Sequence, residues 1–94
     1  MPGVNDPDFK SFSLEEDYWK AEVSVDVFGD ELYQANLRVN VTLDRDGIVP
    51  SGMSRGELLG GDQENFRGTS YDENKVLSWA ERSIQRILSR ADRG

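Results

Sequence analysis

The stretch WKAEVSVDVFGDELYQANLRVNVTL, residues 19–43, decides the architecture. Trp19, Ala21, Val23, Val25 and Val27 alternate with Lys20, Glu22, Ser24 and Asp26, the period-two pattern of a strand with one buried face. Tyr33, Ala35, Leu37, Val39, Val41 and Leu43 repeat the pattern against Gln34, Asn36, Arg38, Asn40 and Thr42. Gly29-Asp30 between the runs is a tight-turn signal, so an antiparallel hairpin is expected. A plain two-residue loop would pair Val27 with Leu32 and Val25 with Gln34, throwing the two apolar sets onto opposite faces. A loop of odd length, or a bulge near Glu31-Leu32, returns them to one face, and burial of that face requires the irregularity.

An apolar hairpin face needs a cover, and the C-terminal segment supplies one. Ser70 and Glu73 fit a capping box, with Asp72 and Glu73 suited to the positive end of a helix dipole. Leu77, Ala80, Ile84, Leu88 and Ala91 then recur at helical spacing to about residue 91, with Val76 and Ile87 widening the stripe. The expected fold is a two-layer α+β domain: a long hairpin plus one or two short strands in an antiparallel sheet, packed against a C-terminal α-helix.

The remaining segments read less regularly. Residues 1–13 open with Pro2, Gly3, Asn5, Asp6, Pro7 and Asp8, a composition suited to a flexible arm, leaving residues 14–94 as the single domain. Ser13 and Glu16 suggest a short helical turn over residues 14–18, and Phe9, Phe12 and Leu14 could pin the arm. From Asp44 to Gly68 six glycines and Pro50 interrupt any regular element. Residues 47–49 and 65–67 are candidate short strands, residues 51–62 the candidate excursion, and Gly60-Gly61 read as linker glycines.

Composition narrows the function classes. With 94 residues the chain has room for one domain. It contains no Cys and no His, which removes disulfides, thiolate zinc sites and the commonest general base. Asp44-Arg45-Asp46-Gly47 lacks the further ligands of a calcium loop, with Ile48 and Arg55 where acceptors would stand, and reads as an acidic turn. No cofactor or metal is expected, and a non-enzyme is the better reading. No run is long and apolar enough to span a membrane, and the first residues do not read as a signal peptide, so a cytoplasmic location is expected. Eighteen acidic against eleven basic residues give a net charge of −7, which disfavours nucleic acid and favours basic partners.

Charge is unevenly placed. Residues 1–66 hold 14 acidic and 5 basic side chains, while residues 67–94 hold 4 acidic and 6 basic. Lys75, Trp79, Arg82, Arg86, Arg90 and Arg93 fall on one helix face, expected opposite the apolar stripe, as a basic ridge containing an aromatic. Trp and Arg are enriched in binding hot spots, so the ridge is the candidate protein-binding surface. The structural alternative is that acidic groups pair with it internally while Trp79 covers the core edge.

The expected function is a non-catalytic protein-interaction or regulatory domain, an acidic inhibitor, immunity or anti-defence protein of a bacterium or phage being one special case. It would dock a protein through the ridge or through an acidic hairpin face. Strands of eleven residues reach about 35 Å, long for so small a core, and a homodimer would bury the overhang. Two alternatives remain open: a small-ligand or enzymatic site under residues 51–62, and a structural assembly subunit that exchanges its N-terminal arm.

Overall fold

The computed structural model describes residues 8–93. Four strands, β1 (Asp8–Glu16), β2 (Trp19–Gly29), β3 (Leu32–Val41) and β4 (Leu58–Arg67), form an antiparallel meander in the order β1-β2-β3-β4. One helix, α1 (Glu73–Arg93), follows and lies over β3 and β4. The α+β class, the hairpin and the covering helix are as the alternating and helical patterns require.

The hairpin register is the one that burial demands. Val25 faces Ala35, Val27 faces Tyr33, and the irregularity falls between Val27 and Gly29. The extra residue is therefore Phe28 on β2, not one near Glu31-Leu32, and the turn is Asp30-Glu31. Ala21, Val23, Val25, Tyr33, Ala35, Val39 and Val41 are almost wholly excluded from solvent.

Residues 8–13, read as part of an arm, belong to β1, which pairs with β2 from Asp8↔Val27 to Glu16↔Trp19. The helical turn expected at residues 14–18 is instead the end of that strand and a turn into β2. Phe12 and Leu14 face Val23 and Ala21 and pack against the core, so pairing to a buried neighbour overrides the local capping signal. Residues 1–7 of the expected arm lie outside the described residues.

The expected excursion also ends early, because residues 58–62 open β4. Gly60-Gly61 are strand residues whose lack of side chains permits close approach. A Cβ on Gly60 would lie 3.0 Å from Ile87 Cγ2, and one on Gly61 would lie 2.7 Å from the Leu37 carbonyl oxygen. Residues 65–67 end β4 as expected, whereas residues 47–49 form no strand. There Asp44 closes the turn, its Oδ1 accepting the amides of Asp46 at 2.8 Å and Ile48 at 2.7 Å.

Helix α1 starts two residues later than the Ser70 signal implied. Asp72 caps it: its side chain accepts the Asn74 amide at 3.0 Å and its carbonyl the Val76 amide at 3.3 Å. The buried stripe is Val76, Trp79, Ala80, Ser83, Ile84 and Ile87. It is rotated from the expected one, leaving Leu77, Leu88 and Ala91 half-buried along its margin.

Candidate functional site

The rotation of α1 dismantles the basic ridge. Trp79, 6% exposed, belongs to the buried stripe, its ring 6.4 Å from Phe66 in an edge-on contact. Phe66 stacks on Tyr33 at 4.6 Å, and Tyr33 meets Tyr71 edge-on at 5.4 Å, so Trp79 ends a row of aromatics beneath the helix. The ridge thus flanks the apolar stripe instead of opposing it. Lys75 donates to Thr69 Oγ1 at 3.0 Å, and Arg86 is tied to the sheet by Asp62. Arg82 and Arg90 stay exposed, and the side chain of Arg93 lies outside the described part.

Asp62 explains why Arg86 turns inward. The β3–β4 register places Asp62 opposite Leu37, on the face covered by the helix. Ser83, fully buried, donates to Asp62 Oδ2 at 2.6 Å, and Arg86 Nη2 donates to the same oxygen at 3.0 Å. The Gln63 amide donates to Oδ1 at 2.8 Å. The Ser83 hydrogen bond, working against burial and helped by the Gln63 amide, the Arg86 charge and the Trp79 indole, holds the carboxyl below its ordinary range. A carboxylate so stabilised is a poor acceptor for the serine proton, and Ser83 has no open approach. The trio is a clamp between β4 and α1.

The sequence offered one sign of this clamp. Ser83 is a polar residue inside the apolar helical spacing, between Ala80 and Ile87, and a buried hydroxyl needs a partner. Asp62 carried no comparable sign, because β4 was hidden by its glycines.

Among the described residues no element covers the other face of the sheet. Ser11, Ser24, Asn36 and Gln63 stand in one row across all four strands, each opposite the next. The adjacent row is Ser13, Glu22, Arg38 and Gly61, and the row on the other side is Phe9, Asp26, Gln34 and Asn65. A shallow trough of about 990 Å³ runs over the first two rows and reaches Phe9 of the third. Phe9, 61% exposed, stands at its end, and Phe28, 53% exposed, lies at the same end of the sheet.

The face is not acidic, as the hairpin alone had suggested. Once β1 and β4 flank the hairpin, Glu15 faces Lys20 and Glu22 faces Arg38, while Asp26 lies between Phe9 and Gln34 and Arg67 stands on β4 opposite Leu32. Acidic pairs sit instead at the end of β1 and in the connections, at Glu16-Asp17, Asp30-Glu31 and Asp44/Asp46. Ser11, Ser13, Ser24, Asn36 and Gln63 give the trough both donors and acceptors, and its charged lining, Lys20 and Arg38 against Glu22 and Asp62, is balanced. Of residues 51–62, the trough draws only Asp62. Among the described residues no group of three or more metal-ligating side chains is placed to hold an ion, and no helix is long and apolar enough to cross a membrane.

The chain matches no family model, no curated protein and no solved structure.

Proposed function

We propose that this chain is a non-catalytic interaction domain that docks a protein partner through the helix-free face of its sheet. The observation that carries the reading is the hydroxyl and amide row, Ser11, Ser24, Asn36 and Gln63, lying open along a trough that crosses every strand. Its balanced charge suits a partner recognised by hydrogen bonds and shape, with Glu22 and Arg38 fixing orientation and Phe9 giving one apolar anchor. The opposite face is occupied with holding the fold. A cytoplasmic setting is part of this proposal.

The test is a pull-down with three forms of the protein: wild type, a Ser24→Arg/Asn36→Arg variant that blocks the trough, and an Arg82→Glu/Arg90→Glu variant of the helix. Each is first checked for native circular dichroism. A partner held by the wild type and the helix variant, and lost by the trough variant, supports the reading. A partner lost only by the helix variant returns docking to the helix and contradicts it.

A further inference from the structure

We propose that the outer edge of β1 pairs antiparallel with the same edge of a second copy of this chain, with the two-fold axis between the two Ser13 residues. The result is a continuous sheet of eight strands with both helices on one side. This inference is independent of the partner proposed for the open face.

Among the described residues, strand β1 ends the sheet order and is paired with β2 on one side only. Its nine residues contain no proline, so the outer edge presents backbone donors and acceptors suited to strand addition. Phe12 and Leu14 pack against the core from this strand, while the helix lies over β3 and β4 at the far side. The rim of the apolar layer at β1 is therefore left for something other than the helix to extend.

Charge selects the occupant and the register. Three two-fold registers pair at least seven residues per strand within Asp8–Glu16, with axes at Ser11, Phe12 or Ser13. With the axis at Ser13, Lys10 opposes Glu16 of the second copy and Phe12 opposes Leu14 of the second copy, each pair occurring twice. With the axis at Phe12 or Ser11, Lys10 instead opposes an apolar residue, Leu14 or Phe12 of the second copy. Lys10 lies 5.4 Å from the Tyr71 ring centroid, which keeps its ammonium on the helix side, the side to which the register also assigns Glu16. Charges that discourage indiscriminate strand pairing thus become complementary in one self-pairing arrangement. So short an interface predicts a dimer that forms with rising concentration.

The absence of cysteine makes a clean test possible. Ser13→Cys, oxidised at rising protein concentration, is expected to give a disulfide-linked dimer. Ser11→Cys should not, because the two Ser11 positions stand about 13 Å apart along the edge in this register. In sedimentation, Lys10→Glu and Glu16→Lys should each weaken self-association roughly tenfold, and the double reversal should restore it, since two cross-strand pairs turn repulsive and then attractive again. Three outcomes would overturn the proposal: a wild type monomeric at every concentration, Ser11→Cys linking as readily as Ser13→Cys, or a dimer indifferent to both single reversals.

Discussion

On the helix side of β2 and β3, Ala21, Val23, Val25, Tyr33, Ala35 and Val39 are at most 1% exposed. One residue along the same strands, Ser24, Asp26, Gln34 and Asn36 are half-buried and face no second layer among the described residues. A single backbone register therefore produces two surfaces with different constraints. The odd-numbered set must match the helix in shape, whereas the even-numbered set must only stay compatible with strand pairing and water. Stability and recognition are thereby separable in this molecule, and substitutions on the two faces should behave differently.

The largest effect belongs to Trp79. Replacement by Ala removes a 6%-exposed indole between Phe66 and the helix, and should cost about 3 to 5 kcal/mol in urea unfolding. A loss below about 1 kcal/mol would return Trp79 to the surface role that a basic ridge assigned it. Gly61→Ala comes next. Its new Cβ meets a backbone carbonyl at 2.7 Å, which cannot move like a side-chain end, so a cost of about 1 to 3 kcal/mol is expected.

Asp62→Asn should cost about 1 to 2 kcal/mol near neutral pH, a value reduced because the Asp62 side chain keeps 31% of its exposure. The folded-state pKa of Asp62 is lowered, so its stabilising effect is complete above the unfolded aspartate value of about 3.9 and fades as pH falls through the folded value. Acid unfolding followed by tryptophan fluorescence should therefore be shallower below about pH 4 for the Asn variant than for the wild type. Equal slopes would mean that the clamp is not formed in solution.

The smallest stability effects are expected on the open face. Ser24→Ala and Asn36→Ala should change unfolding free energy by no more than about 0.5 kcal/mol while weakening partner capture. A large destabilisation there would make the polar rows structural and erase the contrast between the faces.

How far this was legible follows from which residues carry a repeating signal. The hairpin alternates over many positions, so its existence, its shared apolar face and the need for a bulge could all be read from it. The bulge fell on Phe28 because nothing in a linear pattern says which strand absorbs an extra residue. β1 offers only Phe12 and Leu14 in alternation behind a proline-rich start, and β4 breaks its pattern with Gly60, Gly61 and Asp62. Both are edge strands that the hairpin organises through hydrogen bonding, a cause that no local window contains. The helix was legible, but its rotation was not, since a stripe through Leu77 and Leu88 and one through Val76 and Ile87 differ by a single residue step, about 100°, and share Ala80 and Ile84. That rotation moved Trp79 into the core. The polar row over four strands required β1 and β4 in place, so the hairpin alone showed only its two central members, Ser24 and Asn36.

The most direct test of docking through the open face is photo-crosslinking in the source cells. A benzophenone amino acid is introduced at Asn36, in the centre of the trough, or at Arg90, on the exposed helix. Docking through the open face predicts a discrete covalent adduct from Asn36 and none of the same mass from Arg90. An adduct from Arg90 with none from Asn36 would contradict it.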